Sequence, residues 1–154
     1  LPPAGYTYYN LWSMDNTTTG FNDNAVVKTI YDPCPVGFHM PASNAFTGFT
    51  TTGGNTTNQS KFNVSGDWDY GWYFNNKLTN PDATIYFPAV GCRTSAGLLY
   101  DVGKYGPYNT VSPASSRLNA RCLMYIYTDP SQMHLYPQRD SDRAGGNAVR
   151  PVAE

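Results

Sequence analysis

Histidine is the commonest proton-transfer side chain in catalysis. This chain holds two, His39 and His134, far apart in sequence and neither beside an obvious nucleophile. No Gly-x-Ser-x-Gly turn marks a serine nucleophile. Glutamate, another frequent proton carrier, occurs once, as Glu154. The expectation is therefore a protein that is not an enzyme and needs no cofactor. Two aspartate pairs have the chemistry for calcium, Asp67/Asp69 and Asp140/Asp142, because residues two apart in an extended chain share a face. Calcium takes about six to eight oxygen ligands and each place nominates only two residues, so solvated loops are preferred and no metal is expected. EF-hand loops, zinc spacings and phosphate-binding loops are absent from the sequence.

Cys34, Cys92 and Cys122 are too few for a disulfide scaffold. Cys92 ends one strand-like run and Cys122 opens another, so a Cys92–Cys122 bridge is geometrically possible if those runs pair antiparallel; free thiols are the preferred reading. Asn16, Asn55, Asn58 and Asn63 each begin an Asn-x-Ser/Thr sequon. In so Asn- and Thr-rich a chain, chance is the preferred origin of these sequons.

These groups need a scaffold, and composition narrows it. The 154 residues suit one domain, expected to span 1–154, and can bury a sizeable core. Charged residues make up 14% and aromatic residues 15%, with a net charge of −1. The scattered basic residues leave no phosphate-neutralising patch, so nucleic acid is not an expected partner. The aromatic content argues against disorder. No run approaches the ~20 apolar residues of a membrane helix, and no direct membrane insertion is expected. Ten Asp, one Glu and four Lys leave few helix formers, whereas abundant Thr, Tyr, Asn, Gly and Pro favour short strands and turns. A helical bundle is excluded.

Along the chain, residues 1–5 read as a linker from something longer, and 6–14 as an opening strand. Residues 15–24 form a polar loop, and 25–31 a strand or one short helix closed by Asp32-Pro33-Cys34-Pro35. Pro41 to Phe46 reads as a helix of about two turns capped by Ser43 or Asn44. Residues 50–60 are a polar loop, and 62–74 a packed irregular segment. Strands are expected at 84–91, 122–128, 133–136 and 147–152, the later ones as an antiparallel meander, which makes the chain α+β with few helices.

Several motifs carry a resemblance. Tyr31-Asp32-Pro33-Cys34-Pro35-Val36-Gly37-Phe38-His39-Met40-Pro41, Phe87-Pro88-Ala89-Val90-Gly91-Cys92-Arg93, Val102-Gly103-Lys104-Tyr105-Gly106 and the run from Arg143 to Val152 resemble, in order, the Fibrobacter succinogenes major paralogous domain. The resemblance implies a C-type-lectin-like α+β fold with short antiparallel strands, one or two short helices and long loops. It further implies the C-terminal domain of a longer surface protein of a gut bacterium, at a fimbrial tip or anchored to the outer membrane. Some relatives are variable proteins diversified by retroelements. The departures from the pattern are Pro107-Tyr108-Asn109-Thr110, Cys92 and Pro151, the last standing where relatives have the cysteine that pairs with the one at Cys34. Unusual residues concentrate within 107–147, as diversification would produce.

A binding face needs rigid strands presenting mixed aromatic, amide and charged groups. Tyr108, Asn109, Arg117, Asn119, Arg121, Tyr127, Gln132, His134, Tyr136, Gln138, Asp140 and Asp142 supply them. Strand alternation places His134 and Tyr136 outward and Leu135 in the core. The expected function is an adhesin-type surface module that binds a protein or glycan on a host or bacterial surface, with other pilus subunits as further partners. The alternative is a structural or assembly domain that binds no ligand. A formylglycine-generating-type enzyme with copper at Cys92 and Cys122 stands behind both.

Overall fold

Aromatic and β-branched side chains suit a pleated, half-buried surface, and they dominate this chain. In the computed structural model, which describes residues 2–15 and 17–154, they form eleven strands among the described residues. These are β1 (Phe38–His39), β2 (Val64–Ser65), β3 (Gly71–Asn75), β4 (Thr84–Pro88), β5 (Cys92–Arg93), β6 (Leu99–Tyr100), β7 (Tyr105–Pro113), β8 (Asn119–Asp129), β9 (Gln132–Asp142), β10 (Ala148–Val149) and β11 (Val152–Ala153). The main sheet runs β10-β7-β8-β9, a second runs β2-β3-β4, and β1 pairs with β11 and β5 with β6.

The expected α+β, C-type-lectin-like architecture is corrected by these elements. The chain is nearly all β, with 39% of residues in strands, 4% helical and no helix of seven or more residues. Two 3-10 turns, Thr47–Phe49 and Gln59–Lys61, are the helical content among the described residues. Residues 43–46 form successive turns instead of a helix, with backbone bonds reaching back three residues, such as Ala45 N–H to Ala42 at 3.1 Å. Ser43 explains the difference. Its buried hydroxyl accepts from the Asn22 amide at 2.8 Å, so the residue that would have capped a helix ties down a distant loop.

The opening strands at 6–14 and 25–31 reduce to one bridge, Ser13 with Lys28. The meander holds for β8 and β9, which pair antiparallel; β7, not among the expected strands, joins β8 antiparallel, and β10 joins β7 in parallel.

The core lies where the two larger sheets meet. Trp72 and Phe74 of β3, Phe87 of β4, Tyr108 of β7, Leu123 and Tyr125 of β8 and Met133 and Leu135 of β9 pack with Phe46 and Phe62. Phe74, Leu123, Tyr125 and Leu135 are fully buried, each apolar chain contributing about 1.5–3 kcal/mol. The Tyr125 hydroxyl donates to the Phe87 and Pro88 carbonyls at 2.7 and 2.8 Å, so its polar tip is satisfied inside the core.

The Asp32-Pro33-Cys34-Pro35 motif is a folded clasp. Buried Asp32 accepts from the Cys34 and Met40 amides at 2.8 and 2.9 Å. From outside, the Lys28 ammonium donates to the carbonyls of Cys34, Pro35 and Phe38 at 2.6, 2.7 and 2.5 Å. The Val111 amide then bonds the Pro41 carbonyl at 2.9 Å, fastening the clasp to β7.

Candidate functional site

The β8–β9 hairpin positions most of the candidate residues, and a bulge decides which way they face. Met124 opposes Tyr136 while Cys122 opposes Arg139, so Pro137 and Gln138 together face the single residue Leu123. Proline lacks the N–H that a ladder needs and fits such a bulge. The side chain of Asn55 replaces the lost ladder bonds: it accepts from the Gln138 amide at 3.0 Å and donates to the Gln138 carbonyl at 2.7 Å.

Directly opposed residues share a sheet face. Beyond the bulge, Arg139 therefore joins His134 and Tyr136, and its guanidinium lies 5.3 Å from the Tyr136 ring centroid. The His134 and Tyr136 rings are 5.5 Å apart. Gln138 and Asp140, expected in the same binding face, turn to the other side with Arg121. There they meet two loops, residues 17–24 and 54–58.

That side holds a polar cleft of about 470 Å³ lined by Phe21, Asn55, Asn119, Arg121, Gln138, Arg139 and Asp140. Arg121 and Asp140 form an ion pair across the strands. The Arg121 guanidinium also donates to the Thr19 carbonyl and lies 4.3 Å over the Phe21 ring. Gln138 donates to the Asn44 side chain at 2.7 Å. The cleft floor is thus fixed by its own hydrogen bonds, while Arg139 borders it from the Tyr136 face, exposed and with its guanidinium beside the Tyr136 ring. A rigid polar cleft with an exposed guanidinium at its border can bind hydroxyls, amides or a carboxylate.

Four of the twelve expected residues, Asn119, Arg121, Gln138 and Asp140, come together here. The others divide. Tyr108 and Asn109 are corrected: both are buried, at 4% and 7% exposure. The Tyr108 hydroxyl donates to the Pro88 carbonyl at 2.7 Å, and Asn109 accepts from Asn147 at 3.0 Å. Both are packing residues. Arg117 is exposed in the β7–β8 turn, and Gln132 is exposed at the start of β9. Asp142 caps the following turn by accepting from the Ala144 amide at 2.9 Å. Tyr127 lies near the far end of the hairpin, stacked on Trp68 with ring centroids 4.8 Å apart.

Phe21, Asn55 and Arg139 are the lining residues outside the expected face. Arg139 was legible in principle, since Pro137 within a strand run signals a bulge. Phe21 and Asn55 come from distant loops and leave no local signal. A larger cleft, about 630 Å³, lies elsewhere, among Asn24 to Lys28, His39, Ala42 and Glu154. It gathers none of the twelve expected residues, so the smaller polar cleft is the better candidate.

The three cysteines are free thiols, so the possible Cys92–Cys122 bridge does not form. The run before Cys92 pairs with β3 rather than β8, so the assumed strand pairing does not exist. Burial pushes the Cys122 thiol up to about 12. Burial, reinforced by the Asp32 carboxylate, does the same for Cys34. Burial also raises Cys92. Thiols shifted this way resist forming the thiolate that nucleophilic or metal chemistry requires. Among the described residues no three His, Cys, Asp or Glu side chains gather as metal ligands. Of the sequons, Asn63 is buried, Asn55 braces the bulge, Asn58 accepts from the Ser60 amide at 3.1 Å, and Asn16 lies outside the described residues.

Compared with known proteins, the chain matches no family model, no curated protein and no solved structure.

Proposed function

We propose that this domain is a non-enzymatic ligand-binding module of a cell-surface protein, adhesin-like in action, which holds a protein or glycan in the polar cleft between β8, β9 and the loops at 17–24 and 54–58. The observation that carries this reading is a single cleft lined by Asn55, Asn119 and Gln138 around the fixed Arg121–Asp140 pair, with exposed Arg139 at its border. A preorganised polar floor lowers the ordering cost of binding, and an exposed arginine supplies a strong charge-assisted anchor. His134 and Tyr136 extend the surface beside Arg139. The surface location and the diversification of 107–147 rest on the motif resemblance. Within that stretch the exposed side chains Arg117, Gln132 and Arg139 are free to vary, while buried Pro107, Tyr108, Leu123 and Tyr125 are not.

An assembly role is the second reading, and one observation favours it. The β5–β6 hairpin and the residues after it expose Leu98, Leu99, Tyr100 and Val102, at 68%, 67%, 52% and 61%. Clustered exposed apolar side chains mark protein contacts. A pilus neighbour covering them would make this an assembly domain.

Probing a glycan and host-protein array with the wild type and with Arg139→Ala separates these readings. Binding by the wild type that Arg139→Ala loses supports the module. No binding by the wild type, with association of subunits that Leu99→Asp abolishes, supports assembly.

A further inference from the structure

We propose that a second cleft, at the turn end of the β8–β9 hairpin, binds one pyranose ring of a neutral oligosaccharide. It goes beyond the polar cleft, using different residues at the other end of the same strands. This cleft, about 460 Å³, is built around Trp68, Trp72, Tyr127 and Met133, with Gln59 and Asp67 at its rim. Its size is within the roughly 300–1,000 Å³ of small-ligand sites.

The aromatic rings are fixed. Trp68 stacks on Tyr127 at 4.8 Å with an interplanar angle of 11°, and packs edge-to-face with Trp72 at 5.3 Å. An indole face carries negative quadrupole charge, and the C–H face of a pyranose is weakly positive, so a rigid indole accepts the flat side of a sugar. Rigid rings also lose little entropy on binding.

The polar groups around these rings keep open hydrogen-bonding capacity. Asp67 is exposed, and its carboxylate has no hydrogen bond or ion pair among the described residues. The Tyr127 hydroxyl likewise has none among the described residues. Gln59 donates one amide hydrogen to the Pro130 carbonyl at 2.7 Å, which leaves its oxygen and second hydrogen available. The indole N–H groups of Trp68 and Trp72 meet no acceptor among the described residues, although Trp72 is only 6% exposed. A tryptophan buried this far ordinarily finds an acceptor, so its open N–H points to one supplied from outside.

Charge selects the sugar. The lining contains one carboxylate and no Lys or Arg. Sialic acids, uronic acids and sulfated or phosphorylated sugars would be repelled, whereas neutral hydroxyls can both donate to Asp67 and accept from the indoles. Six residues separate Arg121 from Tyr127 along β8, about 20 Å at ~3.3 Å per residue, so the two clefts can be altered independently.

The test is titration of the whole domain with cellotetraose, mannotetraose, N-acetylchitotetraose and lactose, followed by tryptophan fluorescence and calorimetry. At least one probe is expected to bind saturably with a blue shift. The exposed-site variants Asp67→Ala and Gln59→Ala should weaken it at least about tenfold at unchanged Tm. Trp68→Ala should abolish it, and Arg139→Ala should leave it intact. If Trp68→Ala fails to fold, Asp67→Ala and Gln59→Ala decide. Failure of all four probes, or binding that survives Asp67→Ala and Gln59→Ala, overturns the proposal. Loss on Arg139→Ala alone also overturns it, by placing the sugar in the polar cleft.

Discussion

Arg121 and Asp140 are register partners across β8 and β9, and their side chains close an ion pair beneath the polar cleft. The arginine side chain is 15% exposed and the aspartate 37%, so the pair is only partly screened. Because Arg121 also holds the Thr19 carbonyl and the Phe21 ring, it joins the hairpin to a loop some hundred residues earlier. Arg121→Ala should cost about 2 kcal/mol, chiefly through the polar groups it strands. Arg139→Ala, at an exposed position, should stay within about 0.5 kcal/mol of wild type. Urea denaturation of both variants checks the contrast, and equal losses would mean that the cleft floor is not a structural lock.

Gly106 lies under the Tyr125 ring. A Cβ at this position would sit 2.0 Å from the tyrosine Cζ and 2.4 Å from its hydroxyl. Tyr125 cannot retreat without giving up its bonds to Phe87 and Pro88. Gly106→Ala should therefore destabilise by about 3 kcal/mol or more, or prevent folding. A thermal scan of Gly106→Ala beside Gly54→Ala, where nothing lies within 4 Å of an added Cβ, gives the comparison.

The clasp at Asp32 predicts a stability role for the motif that drew attention in the sequence. Lys28→Met removes the donor to three carbonyls, and Asp32→Ala strands the amides of Cys34 and Met40. Each should cost about 1–3 kcal/mol, and both should leave the polar cleft competent once folded. Hydrogen exchange at the Met40 amide should rise sharply in Asp32→Ala. Unchanged protection there would refute the clasp.

Alkaline pH should unfold the domain early. Burial raises Cys122 and Cys34 from 9.0 to about 12, and Tyr108 from 10.0 to about 12. The folded state thus holds these protons more tightly than the unfolded chain. Their stabilisation is complete below the unfolded values and is lost progressively as pH climbs toward the folded ones. Tm should stay level to about pH 8.5 and fall above about pH 9, with a shallower fall in Cys122→Ala. A flat profile to about pH 11 would contradict the burial of these groups.

Much of the strand framework was legible, because runs such as Thr84 to Phe87 and Cys122 to Thr128 carry aromatic and β-branched residues in numbers that no helix would use. The absence of long helices followed from the same composition, yet Pro41 to Phe46 still read as one. Its cap signal was genuine local chemistry, spent on Asn22 instead. The strands at 6–14 and 25–31 reduce to the Ser13–Lys28 bridge, with Tyr6 packed on Tyr31 and Trp12 on the Cys34 and Met40 cluster. His134 and Tyr136 face together as alternation predicts, but alternation broke at Pro137, and with it the assignment of Gln138 and Asp140. Tyr108 misled for a general reason. A tyrosine serves a core as readily as a surface, and only the position of the Pro88 carbonyl decides which. The cleft's remaining walls, Phe21 and Asn55, come from loops whose approach depends on the whole fold.

The most direct test of ligand recognition by the polar cleft is amide chemical-shift mapping of the isotope-labelled domain with the strongest binder from the glycan and host-protein array. The account predicts saturable perturbations centred on Asn119 to Arg121, Gln138 to Asp140 and Asn55, all lost in Arg139→Ala. An array without a single binder, or perturbations centred away from these residues, would contradict it.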